Sequence, residues 1–178
     1  MLPAGVVLRP LQSHGDERGV FTELHRAAWW SGPPLVQWNA VRSHARVLRG
    51  VHVHLRHDDL LTVPFGRATV GLVDLRPGSP TEGVASTVAL GEDDAASLAI
   101  PHGVAHGFYF HEPSVHVYAV THEFDPADEL GCRFDDPDLG IAWPETDVVL
   151  SDRDRDAGTM AALRARVAGQ AGAWSQPS

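Results

Sequence analysis

Arg49-Gly50-Val51-His52-Val53-His54, followed by Asp59 and Gly66, and Pro101-His102-Gly103-Val104-Ala105-His106 decide how this chain is read. They supply a His-x-His pair, a carboxylate five residues on, and a third His about fifty residues later. Alternation along a strand puts His52 and His54 on one face and Val51 and Val53 on the other. Small antiparallel β-barrels build sites from such pieces. Three imidazoles and a carboxylate converging inside a barrel serve as metal ligands or as acid–base groups.

Outward from these motifs the chain is a series of short Val- and Leu-rich runs broken by Gly, Pro and Asp. The pattern predicts strands over 36–41, 47–48, 51–55, 60–64, 68–75, 86–90, 97–100, 105–110 and 115–124. Arg76-Pro77-Gly78-Ser79-Pro80 and Phe124-Asp125-Pro126 read as turns. Many short strands at even spacing indicate an all-β sandwich or barrel. One helix is expected, roughly over 159–168, where Met160, Leu163 and Val167 fall on one face, with a frayed tail over 169–178. In the last strand, His116, Tyr118, Val120 and His122 share a face that either lines a cavity or meets solvent.

The 178 residues suffice for one domain with a sizeable core, and 43% hydrophobic with 21% charged residues is the balance of a soluble globular protein. No apolar run approaches the ~18 residues that span a membrane. Met1-Leu2-Pro3-Ala4-Gly5 lacks the basic start and apolar core of a signal peptide. A single cysteine, Cys132, leaves no intrachain disulfide, so a cytoplasmic protein is expected. The net charge of −9 and the lack of a basic stripe argue against a nucleic-acid binder, though a few arginines can clamp a diphosphate. All 14 basic residues are Arg, so lysine Schiff-base chemistry is excluded.

With these segments placed, the chain resembles the dTDP-4-dehydrorhamnose 3,5-epimerase family of the cupin superfamily. The motifs that carry the resemblance are Asp16-Glu17-Arg18-Gly19-Val20-Phe21-Thr22-Glu23, Val36-Gln37-Trp38-Asn39, Leu48-Arg49-Gly50-Val51-His52 and Val73-Asp74-Leu75-Arg76-Pro77-Gly78-Ser79-Pro80-Thr81. Ile100-Pro101-His102-Gly103-Val104-Ala105-His106-Gly107-Phe108, Asp136-Pro137-Asp138-Leu139-Gly140-Ile141-Ala142-Trp143-Pro144 and Ser151-Asp152-Arg153-Asp154 complete them. Seven motifs in order imply a cupin jelly-roll barrel with a short C-terminal helix. They imply a single domain over 1–178, with its core at about 9–154 and a helix and tail over 155–178.

The resemblance implies inversion of C3, C5 or both in a nucleoside-diphospho 4-keto-6-deoxyhexose, dTDP-linked in the family, without a cofactor. It makes His52 the base, Asp154 its partner and Tyr118 the acid. Arg18, Glu23, Gln37, Asn39, Arg49 and His106 fall at nucleotide- or sugar-binding positions. A homodimer with crossing N-terminal strands is implied as well, and no nucleic-acid or membrane partner.

Three positions depart from the family pattern. Asp59 stands where the family has Lys, His54 where it usually has Gln, and Phe124 where it has a second Tyr. The first two changes restore a metal-cupin motif. His52, His54, Asp59 and His106 fill its ligand slots, for Fe, Mn, Co, Ni or Zn. A metal-bound His52 cannot also be a free base. Two other readings therefore stand beside the epimerase: a metal-dependent cupin enzyme, of sugar isomerase or oxygenase type, and a non-catalytic nucleotide-sugar-binding cupin.

Overall fold

The computed structural model describes residues 1–170. Among them, strands β1 (Val7–Pro10), β2 (Ser13–Asp16), β3 (Gly19–Thr22), β4 (Gln37–Ser43), β5 (Leu48–Val53) and β6 (Asp59–Phe65) come first. Strands β7 (Arg67–Asp74), β8 (Ala85–Gly91), β9 (Ala96–Ile100), β10 (Val104–Phe110), β11 (Ser114–Val120) and β12 (Leu130–Gly131) follow, then helices α1 (Asp152–Arg155) and α2 (Met160–Gly169). Two five-stranded sheets form, in the orders β1-β9-β6-β11-β4 and β12-β5-β10-β7-β8, while β2 and β3 make a separate hairpin. Every strand pairing is antiparallel. This is the jelly-roll sandwich expected of a cupin.

The sandwich exists because strand alternation is apolar on the inner face of both sheets. Leu61, Val63, Leu98 and Ile100 of the first sheet meet Ala68, Val70, Leu72, Leu90 and Phe110 of the second in one buried cluster. The second sheet is buried on its outer face too. There Leu48, Val51, Val53, Val73, Ala105 and Tyr109 pack beneath Phe134, Leu139 and the Met160, Leu163, Val167 stripe of α2. Double burial explains why β7 reads as a nearly unbroken apolar run. Thr159 caps α2, its hydroxyl accepting from the Ala162 N–H at 3.2 Å.

Several boundaries differ from the sequence reading. The predicted strands at 47–48 and 51–55 are one strand, β5, because pairing with β10 continues through Arg49 and His52. A β-bulge lies between those two pairs, at Gly50. Gly50 has φ +116°, and a Cβ there would stand 2.8 Å from Gly107 Cα, so only glycine fits this close approach. The last predicted strand stops at Val120, where pairing with β4 and β6 ends. Strands β1, β2, β3 and β12 went unseen because their short, exposed or mixed sequences carry no alternation. The predicted frayed tail begins too early, since Gly169 closes α2. Residues 171–178 of it lie outside the described residues. Among the described residues no helix is long and apolar enough to cross a membrane.

Candidate active site

Inner-face positions that are polar rather than apolar leave a cavity of about 310 Å³ between the sheets. Strands β5 and β10 of the second sheet contribute Arg49, His52, His106 and Phe108, and His54 follows directly on β5. From the first sheet β4 brings Gln37 and Asn39, β6 brings Asp59, and β11 brings His116, Tyr118 and Val120. Three members of the expected polar face, His116, Tyr118 and Val120, therefore line the cavity, whereas His122 lies past the end of β11 and is exposed. His106 pairs with His52 across β10 and β5, and Tyr118 pairs with Asn39 across β11 and β4. Ladder register, not loop conformation, sets these side chains opposite one another.

His52 Nε2 and Asp154 Oδ1 are 2.6 Å apart. Asp154 sits in the first turn of α1, where the Ser151 hydroxyl accepts from its backbone N–H at 3.1 Å. The acidic run 152–156 reads as a solvated face, yet Asp154 is buried while Asp152, Arg153, Arg155 and Asp156 are exposed. Burial alone would raise the Asp154 pKa. The hydrogen bond and charge of His52, with Ser151 and the Gly50 N–H, outweigh it and bring the group below its ordinary value. A carboxylate at this distance accepts a hydrogen bond from the Nε2–H, which leaves the lone pair on Nδ1.

Tyr118 is half-buried, and burial followed by the charges of Asp59 and Glu129 pushes its pKa up. Its hydroxyl is therefore protonated at neutral pH, the state an acid needs. Gln37 Nε2 donates to Asn39 Oδ1 at 3.0 Å, and Gln37 Oε1 accepts from the Phe124 N–H at 2.9 Å. The opposite end of Asn39 is different: its Nδ2 is buried without a partner. Arg49 Nε donates to Ser43 Oγ at 3.0 Å. Burial, then the charge of Arg49, pulls His116 down to about 4, so it is neutral at physiological pH.

The remaining polar residues gather on another part of the wall. One ligand atom from each of His54, His57 and Asp59 lies within 4.8 Å of the other two. This is not the four-residue set read from the motif. His52 is held by Asp154, and His57, two residues before β6 begins, takes the place next to Asp59. His106 stands beside the group, its Nε2 4.0 Å from Asp59 Oδ2. The stretch from His54 to Asp59 is thus no solvated polar loop, since His54, His57 and Asp59 are all buried.

Two expected site residues lie elsewhere in the chain. Arg18 is on the exposed β2–β3 hairpin, paired with Asp16, and Glu23 just beyond it is paired with Arg26. Neither lines the cavity of its own chain. Sequence reading also passed over Glu129 and Arg153, which line the cavity and form an ion pair at 2.8 Å. Arg153 was within reach, being part of the Ser151–Asp154 motif. Glu129 lies between two weak elements and carries no signal of its own.

The family model described as dTDP-4-dehydrorhamnose 3,5-epimerase matches residues 3–162. The chain belongs to this family. It is 36% identical over 143 residues to the spore coat polysaccharide biosynthesis protein SpsL of Bacillus subtilis, covering 78% of this chain and 95% of SpsL. Among solved structures it resembles the dTDP-6-deoxy-D-glucose-3,5-epimerase RmlC of Legionella pneumophila in complex with dTDP-4-keto-L-rhamnose. That likeness has a TM-score of 0.85 and 32% identity, over 91% of each chain. It also resembles ChmJ, a 3'-monoepimerase of Streptomyces bikiniensis in complex with dTDP-quinovose, with a TM-score of 0.85 and 29% identity. That match covers 94% of this chain and 89% of ChmJ.

Proposed function

We propose that this chain is a dTDP-sugar epimerase of the isomerase class, inverting a carbon next to the ketone of a 4-keto-6-deoxyhexose. The observation that carries the reading is the His52–Asp154 pair on one sheet's side of the cavity and Tyr118 on the opposite sheet. Inversion needs a base and an acid on opposite faces of one carbon, and a sandwich with these groups on facing sheets supplies that. His52 Nδ1 accepts the proton from the carbon α to the ketone, and the C–H electrons pass into an enolate. The Tyr118 hydroxyl then returns a proton from the other face. Water restores both groups by taking the proton from His52 and supplying one to Tyr118. Asp154 stabilises the imidazolium while it lasts.

Substrate binding falls to Gln37, Asn39 and Arg49, with His106 as buried wall. Asn39 Nδ2, buried and unpartnered, is positioned to donate to an oxygen of the bound sugar nucleotide. A guanidinium such as Arg49 suits a diphosphate or an enolate oxygen. A homodimer belongs to the same reading, because Arg18 and Glu23 would reach a cavity only in a partner chain. The exposed Val20 and Phe21 of the hairpin that carries Arg18 support this. With one cysteine, buried and unpaired, a cytoplasmic location fits as well.

The test is incubation with dTDP-4-keto-6-deoxyglucose in D₂O, read by proton NMR at sugar C3 and C5. Deuterium at one or both carbons is expected, and the pattern distinguishes single from double inversion. Binding of the nucleotide sugar without exchange at either carbon would refute the reading and leave a binding protein. Exchange undiminished in His52→Asn would remove His52 from the base role.

A further inference from the structure

We propose that His54, His57 and Asp59 bind one divalent transition-metal ion in the wall of the cavity, with His106 at hand as a fourth ligand and His52 not among the ligands. The turn between β5 and β6 folds His57 back onto His54, ring centroids 4.1 Å apart, and delivers Asp59 next to both. Two donors that each stand ~2.1 Å from one ion are ~3 to 4 Å from each other. His57 Nε2 and His106 Nε2 face the same oxygen, Asp59 Oδ2, at 3.7 and 4.0 Å. Both distances exceed a hydrogen bond and match donors sharing an ion.

The surroundings orient these donors. Asp128 accepts the Leu55 and Arg56 N–H groups at 2.9 and 3.1 Å, which fixes its carboxylate 3.5 Å from His57 Nδ1. His106 Nδ1 donates to the Val104 carbonyl at 3.1 Å. The bond at His106 Nδ1 leaves its Nε2 lone pair pointing at Asp59, and the Asp128 carboxylate near His57 Nδ1 favours the same tautomer there, the arrangement that orients metal-binding histidines. Glu129 Oε1 stands 3.3 Å from His54 Nδ1, which nonetheless has no hydrogen-bond partner.

Burial, then the charges of His106, His57 and His52, hold His54 well below its ordinary pKa. Asp59 is pushed well above the carboxylate range by burial, then by Asp58, Glu129 and Asp128. A divalent cation would take His54 as neutral imidazole and Asp59 as carboxylate, offsetting the surrounding acidic charge. Three nitrogens and one oxygen suit an ion of borderline hardness, such as zinc or cobalt. Because His52 Nε2 is committed to Asp154 at 2.6 Å, the acid–base pair and the metal group use separate residues.

The test uses the untagged full chain, stripped with a chelator and titrated with Co²⁺ while visible d–d absorption is followed. About one equivalent per chain is expected, displaced by Zn²⁺. His57→Gln and the isosteric Asp59→Asn should each weaken Co²⁺ binding at least roughly tenfold, and His52→Asn should bind as the wild type does. Circular dichroism establishes that each variant is folded. Absence of a Co²⁺ spectrum in the wild type overturns the proposal. So does equal binding by both wall variants, or loss in His52→Asn as complete as in His57→Gln. The readout is absorbance of the ion, so it is independent of whether sugar protons exchange in D₂O.

Discussion

Replacing Asp154 by Asn tests whether that carboxylate acts through His52. The substitution keeps the shape of the side chain and the backbone N–H that donates to Ser151, so α1 keeps its cap. What it removes is the negative charge 2.6 Å from His52 Nε2. In the ground state the bond joins a carboxylate to a neutral ring. At the transition state His52 is becoming an imidazolium, and the bond becomes charge-assisted. That gain is about 2 kcal/mol, or roughly 30-fold in rate. The expected result is a 10- to 100-fold fall in kcat with KM nearly unchanged, measured as deuterium wash-in by NMR at saturating sugar nucleotide. In a His52→Asn background the same substitution should change the residual rate by less than about twofold, because its partner is gone. Wild-type turnover in Asp154→Asn, or the same loss with and without His52, would refute the coupling.

Two further predictions concern the frame that holds the site. Asp74 is fully buried and its pKa is lowered to about 2, because bonds from Arg76, Ser79 and Thr81 outweigh burial. A folded pKa below the unfolded value means stability that is complete above about pH 4 and is lost as pH falls toward 2, worth roughly 2 kcal/mol. Urea unfolding of Asp74→Asn should show that deficit at pH 7 and roughly half of it near pH 3; a deficit independent of pH would contradict the account. Cys132 is buried, and burial with the charge of Asp136 pushes its thiol up to about 12. Ellman's reagent should therefore leave the native chain unlabelled and react with one thiol per chain in denaturant, whereas rapid native labelling would mean that the cover formed by α2 opens easily.

The fold was legible where burial is two-sided or cleanly alternating. Strands β6, β7, β9, β10 and β11 carry those patterns, and the Met160, Leu163, Val167 stripe announces α2. Edge strand β1 and the β2–β3 hairpin are almost wholly exposed, so no apolar period marks them. Among the expected site residues, those on paired strands, His52, Asn39, Arg49, His106 and Tyr118, all line the cavity. Asp154 shows why a charge run cannot be read alone. One carboxylate of the run is turned inward by an N-cap and a histidine 102 positions away, and the histidine leaves no local trace.

In the proposed metal group His52 is left out because it already has a partner. Two residues on one face of a strand are ~6.6 Å apart along it, so their side chains must lean together to bring donors within ~3 to 4 Å of each other. His52 and His54 can therefore share an ion only if both side chains lean inward, and a strong partner on either side prevents it. Asp154 is such a partner for His52, and His54 is left facing the turn that returns with His57 and Asp59. Parity assigns a face, but the nearest charged neighbour assigns the role. A cavity wall with histidines at alternate positions can thus hold an acid–base pair at one position and a set of metal donors at the next, with no residue serving both.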